Sequence, residues 1–197
     1  MKERPPALLF DVMDTLVVDP FHRAIPAYFG LSLDGFLAEK HPTAWVEFEL
    51  GELAGEEYAA KMFSDGRHVD WQDFSAHVRD AYRWVDGMRE LIGELFDAGV
   101  EMHALSNYPI LYRLIDEALE LSRWVKLSFV SCETQIRKPN PEAYLRAARA
   151  LARDPGDCVF IDDRKSNCVA AEAVGMPGIL FTDAGALRAA LRERAIL

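Results

Sequence analysis

Cysteine is scarce: the chain of 197 residues has three, Cys132, Cys158 and Cys168. They form no CxxC pair and their number is odd, which excludes a disulfide framework and a paired-cysteine metal or redox motif. Long apolar runs are also missing, since no stretch approaches the roughly 20 residues that span a bilayer. The opening MKERPPALLFDV has a charged start and a short apolar run, but an aspartate interrupts that run before signal-peptide length. These absences predict a soluble protein in a reducing setting, cytoplasmic or within an organelle. Basic charge is short as well: 22 lysines and arginines stand against 32 acidic residues, a net charge of −10. Nonspecific binding to nucleic acid or to an anionic membrane is thereby disfavoured. Any anionic substrate has to be met by local positive features. Repeats and low-complexity tracts are absent too.

What is present is a hydrophobic content of 50%, enough for one main domain with an inserted lid. Short apolar runs recur at ALLFDV, VEMHALS, VKLSFVS, CVFIDD and MPGILF, with helical patterns between most of them. That alternation predicts an α/β fold, a Rossmann-like doubly wound parallel sheet. In GMRELIGELFDAG, residues Met88, Leu91, Ile92, Leu95 and Phe96 fall on one helical face before Gly99. A second helix follows Pro141 and is expected to bury Tyr144, Leu145, Ala148 and Leu151; a third follows Asp163 and runs to Gly175. Residues 17–86 break the alternation. They contain TAWVEFELG, EEYAAKMF and WQDFSAHVRDAYRW, amphipathic helical patterns with no convincing strand. The expected division is therefore a Rossmann-like core of residues 1–16 and 87–197, with residues 17–86 inserted as a small helical cap that excludes water.

In an open parallel sheet, ligands sit beyond the carboxyl ends of the strands, so polar residues closing the apolar runs are the ones to examine. They are Asp11 in LLFD, Ser106 and Asn107 in HALSN, Lys138 in IRKPNP, and Asp162 and Asp163 in VFIDD. Each taken alone also suits a helix cap. Together, three carboxylates at one sheet edge repel strongly, and one lysine compensates them poorly. A hard divalent cation with oxygen ligands resolves the conflict.

FDVMDTL, ALSN, KPNPEAY and FIDDRKSN also occur in the order and strand context of the four motifs of the haloacid dehalogenase-like superfamily, which the chain resembles along essentially its whole length. The resemblance implies a magnesium-dependent hydrolase of small phosphate monoesters. Asp11 would be the nucleophile, forming an aspartyl-phosphate. Ser106 and Lys138 would hold the oxygens of the transferred group, and Asn107 and Thr15 would lie beside the substrate. For Mg²⁺ it implies Asp11, the main-chain carbonyl of Met13 and the acidic pair, with Asp163 as direct ligand and Asp162 orienting Lys138.

One position departs from the pattern. Phosphatases of the superfamily carry an acid two residues after the nucleophile, and here that residue is Met13, whose thioether has no proton to give. Losing a general acid costs on the order of 10² to 10⁴ in rate. Asp14 can replace it, although an Asx-type bond within the turn is its more natural use; His22 and Glu47 of the insertion are the other sources, as is a substrate with a good leaving group. Halide needs no proton, so a 2-haloacid dehalogenase stays open, but that chemistry needs no metal and leaves the acidic pair without a purpose. A third reading is a low-turnover protein that binds a phosphorylated ligand. Within the superfamily, the DVMDT start, the WVEFE segment and the KPxPE motif resemble plant plastid flavin mononucleotide hydrolases. That makes flavin mononucleotide a candidate substrate, with Phe21, Trp45, Phe48 and Tyr58 available to stack on its ring. A monomer and a homodimer are equally compatible with the sequence.

Overall fold

The computed structural model describes residues 5–197. Strand β1 (Ala7–Phe10) is followed by a helical stretch: α1 (Ala24–Tyr28), α2 (Leu33–Glu39), α3 (Ala44–Glu49), α4 (Gly55–Lys61) and α5 (Trp71–Ala81). Then come α6 (Met88–Asp97), β2 (Met102–Ser106), α7 (Tyr112–Leu119), β3 (Lys126–Val130), α8 (Ser131–Thr134) and α9 (Pro141–Ala150). The chain continues through β4 (Cys158–Asp162), α10 (Lys165–Ala173), β5 (Gly178–Leu180) and α11 (Ala184–Glu193). Each of the five apolar runs has become a strand, and the five are parallel in the order β3-β2-β1-β4-β5.

β1 occupies the centre, pairing Leu8 with Met102 on one side and Val159 on the other, and every one of its residues is buried. Because successive side chains point to opposite faces, Leu8 and Phe10 enter one apolar core while Ala7 and Leu9 enter another. Chain order reverses at β1: β2 lies on one flank and β4 on the other. That reversal opens a crevice at the carboxyl ends of β1 and β4, the place where such sheets bind ligands.

Helix α6 buries Met88, Leu91, Ile92 and Leu95, and Gly99 closes it with a left-handed φ of 73°. Phe96, expected on the same face, is 49% exposed. At 100° per residue it lies about 80° from Met88, at the rim of the stripe, where the sheet no longer covers it. In α9 the buried face is Ala143, Tyr144, Ala147 and Ala148, while Leu145 and Leu151 are half-buried. The alanines let the helix approach the sheet closely, which turns the stripe away from the two leucines.

Among the described residues, the segment between β1 and α6 adds no strand to the sheet. Its interior is aromatic, with Phe36, Phe48, Tyr58 and Phe74 buried and the rings of Phe48 and Tyr58 stacked 4.3 Å apart. The chain enters and leaves this segment side by side: Val18 N–H donates to Arg83 O and Val85 N–H to Leu16 O, each at 2.9 Å. No described helix is long and apolar enough to cross a membrane.

Candidate active site

The crevice gathers the polar residues that close the apolar runs. Asp11 follows β1 directly and is fixed by its own N–H on Ile161 O at 2.8 Å. Asp162 ends β4 and Asp163 follows it; one carboxylate oxygen from each of Asp11, Asp162 and Asp163 fits within a 4.8 Å span. Lys138 reaches in from the loop before α9 and places Nζ 2.9 Å from Asp11 Oδ1 and 2.6 Å from Asp162 Oδ2. Both charges of the lysine's neighbours and its own are buried, so their mutual contacts are strong and the loss of any one is costly.

The two aspartates of the pair have different surroundings. Asp162 is fully buried and saturated: Lys138 and Asn167 Nδ2 bond Oδ2, and Arg164 N–H and Asn167 Nδ2 bond Oδ1. Asp163 lines the cavity, and its buried Oδ1 has no hydrogen-bond partner. Burial raises its carboxyl from 3.8 to about 6, with Asp11 and Asp162 adding to the effect. Burial also raises Asp11, opposed by Lys138 and reinforced by Asp162. Burial works against the Lys138 ammonium, but Asp11 and Asp162 outweigh it and hold its pKa above the usual lysine value. Three carboxylates and one ammonium leave two negative charges uncompensated at one point. A divalent oxygen-seeking cation fits that donor set, with Asp11 and the unpartnered oxygen of Asp163 free to hold it.

The remaining expected residues divide. Met13 lines the cavity beside Asp11 and is 8% exposed. Ser106 closes β2 with its hydroxyl buried and unpartnered, and it is not among the residues that line the cavity. Asn107 lines the cavity, but both ends of its amide are spent on Lys138: Oδ1 accepts the Lys138 N–H at 2.7 Å and Nδ2 donates to Lys138 O at 2.8 Å. It therefore holds the lysine's main chain, a use that competes with the substrate contact expected of it. Thr15 is fully buried and is not among the residues that line the cavity. The turn after Asp11, where Leu16 and Val17 N–H both bond Val12 O, folds its side chain under the site.

The cavity measures about 210 Å³ and is walled by Phe21 and Trp45 on the side of the helical insertion. Phe48 and Tyr58 stack on each other in the interior and do not reach it. Of the proton sources considered, Glu47 is bound by Lys61 and Thr43 and lies outside the cavity. Asp14, in a left-handed turn conformation with φ of 54°, lines the cavity and accepts Asp19 N–H at 2.9 Å, five residues on rather than the two of the Asx-type bond expected of it. His22 Nε2 is 3.8 Å from Asp14 and lines the cavity.

Four participants escaped the sequence. Asn167 lies on the first turn of α10, five residues past Asp162, which puts it back over the strand end. Asp19 lines the cavity, burial raising its carboxyl to about 6. Glu49 and Arg137 form an ion pair of 2.6 Å across the cavity wall. Glu49 carried a legible signal, because at i+4 from Trp45 it places a charge on the apolar stripe of α3.

A Rossmann-like sheet with an aspartate after its first strand, a buried lysine and a paired acidic terminus on a neighbouring strand is the arrangement a hydrolase using a carboxylate nucleophile would need. Comparison with known proteins places it: residues 5–175 match the family profile of haloacid dehalogenase-like hydrolases, and the chain belongs to that family. It is 43% identical to a chloroplast flavin mononucleotide hydrolase of Arabidopsis thaliana over 99% of its own length and 80% of the relative's. A sesquiterpene phosphatase of Aspergillus oryzae is 26% identical over 76% of this chain and 78% of that one. In fold it is similar to a family enzyme of Bacteroides thetaiotaomicron crystallised with magnesium and inorganic phosphate, with a TM-score of 0.75 and 17% identity, covering 92% of this chain and 96% of the other.

Proposed function

We propose that the protein hydrolyses small organic phosphate monoesters with Mg²⁺, through a phosphoryl group carried transiently by Asp11, and that flavin mononucleotide is a substrate. The observation that carries this reading is the trio Asp11, Lys138 and Asp163: a buried carboxylate held by an ammonium, beside an acid oxygen without a partner. Val12 N–H and Lys138 both engage Asp11 Oδ1, which leaves Oδ2 to attack phosphorus. Lys138 and the Ser106 hydroxyl then donate to the equatorial oxygens, where charge is concentrated. Asp162 keeps the lysine charged and aimed, and Asn107 fixes its main chain. Magnesium, held by Asp11, the Met13 carbonyl and Asp163, supplies the neutralising charge and Lewis acidity when bound.

The acidic pair opposes the dehalogenase reading, because carbon–halogen cleavage offers no cation to relieve it. The flavin assignment rests on the Arabidopsis relative and on Phe21 and Trp45 in the cavity wall. At 210 Å³ the cavity is smaller than the roughly 300–1,000 Å³ of typical ligand sites, so a tricyclic ring enters only with a shift of the insertion. We accordingly assign residues 17–86 the role of a cap that opens and closes over the site. Three free thiols fit a reducing compartment, cytoplasm or organelle.

The test is phosphate release from a panel of esters containing flavin mononucleotide, sugar phosphates and 4-nitrophenyl phosphate, with Mg²⁺ and with chelator, alongside halide release from short 2-haloacids. Release of phosphate that stops with chelator supports the proposal. Halide release indifferent to chelator, or tight phosphate binding without turnover, overturns it.

A further inference from the structure

The helical insertion lines the cavity with Asp19, Phe21, His22, Trp45 and Glu49, and Glu49 pairs with Arg137 on the loop that carries Lys138. We propose that Glu49, at the end of α3, is a positioning residue of the phosphate site, completing it only while the insertion is docked; the inference rests on the hydrolase reading above. Two independent arms support it. Through its side chain, Glu49 accepts Trp45 Nε1–H at 2.7 Å and pairs with Arg137 at 2.6 Å. Arg137 immediately precedes Lys138, so the pair fixes the loop that carries the catalytic ammonium. Through its main chain, Glu49 O accepts the Ser131 hydroxyl, whose oxygen in turn accepts Tyr108 N–H at 3.0 Å. Tyr108 follows Asn107, the residue clamped to both sides of the Lys138 main chain, and Asn107 follows Ser106.

Both loops that present phosphate donors are thus tied to a single residue of the insertion, and the two loops are also tied to each other through Asn107. The carboxylate side chain is only 8% exposed, a placement that a charge takes only when its partner is held beside it. Its Oε2 stands 2.6 Å from a terminal nitrogen of Arg137, so the two charges are held as a close pair. The effect of Glu49 passes through Arg137 and Ser131.

Kinetics of Glu49→Gln, Arg137→Met and the double variant, with flavin mononucleotide and 4-nitrophenyl phosphate in Mg²⁺, test the proposal. Each single variant is expected to lower kcat about tenfold, and the double variant to be no worse than the worse single, the sign of one shared path. Calorimetric titration with inorganic phosphate in Mg²⁺ is expected to show Glu49→Gln weakening affinity about tenfold. Losses that multiply in the double variant, or kcat and phosphate affinity of Glu49→Gln within about twofold of the parent, overturn it. Should Glu49→Gln fail to fold, Arg137→Met decides by the same two readouts. A parent protein that binds phosphate but hydrolyses neither ester refutes the hydrolase reading, and the phosphate titration then decides the positioning role by itself.

Discussion

At the scale of single residues the site is an exercise in compensating buried charge. Lys138 stands between Asp11 and Asp162 with contacts of 2.9 and 2.6 Å. Lys138→Ala strands these carboxylates together, and loss of one partner from a buried ion pair costs about 3–5 kcal/mol. We expect a fall in melting temperature in metal-free protein that added Mg²⁺ partly reverses, measured by calorimetry; an unchanged melting temperature would mean the aspartates are already neutral. Met13 gives a second prediction. It lines the same cavity as Asp11, two residues on in the chain. Met13→Asp is expected to raise kcat for flavin mononucleotide by about 10- to 100-fold, and to do less for 4-nitrophenyl phosphate, whose leaving group needs no proton. Equal gains for the two esters would remove proton donation as the reason. Residues of this kind, standing where an apolar run ends, were readable in the sequence. Asn107 was readable as a site residue but not in its use, because its amide meets Lys138 only through tertiary structure.

Among elements, the docking of α3 on α8 is the contact least legible in the sequence. Gly51, one residue beyond the α3 cap with φ of +72°, lies so close that a β-carbon there would stand 2.3 Å from Cys132 O. Gly51→Ala therefore combines a strained backbone with a collision against main chain, a cost of about 1–3 kcal/mol from the strain alone. We expect faster amide hydrogen exchange across α3 and α4 with little change in the sheet strands; protection lost evenly over the whole chain would show that the insertion and core do not open separately. Strands were the legible elements: all five apolar runs pair in one sheet, since a buried parallel sheet demands continuous hydrophobicity. Helix faces were legible to within one position. Phe96 and Leu145 fell outside because the true stripe is set by how closely a helix sits on its sheet, which periodicity does not contain. Nor does spacing separate Trp45, which reaches the cavity, from Phe48, which stacks inside the insertion.

For the whole molecule, the fold works by bringing residues 11, 138, 162 and 163 to one sheet edge, at an electrostatic cost that shows in its acid groups. Asp163 and Asp19 rise from 3.8 to about 6, and Glu49 from 4.5 to about 7, each chiefly through burial. All three bind their protons more tightly folded than unfolded. The stability they lend is complete below about pH 4 and is lost as pH rises through 6 to 7. We expect the melting temperature of metal-free protein to fall between pH 5 and 8, and Mg²⁺ to raise it more at pH 8 than at pH 5, because the cation competes with a proton on Asp163. A Mg²⁺ effect independent of pH would place the ion elsewhere. The most direct test of the central claim, that Asp11 is made a nucleophile at this edge, is phosphate release from flavin mononucleotide in Mg²⁺ by the parent protein and by Asp11→Asn at equal folded concentration. The expected result is steady release by the parent and a loss of about 10³-fold or more in the variant; a variant retaining activity within about tenfold would contradict it.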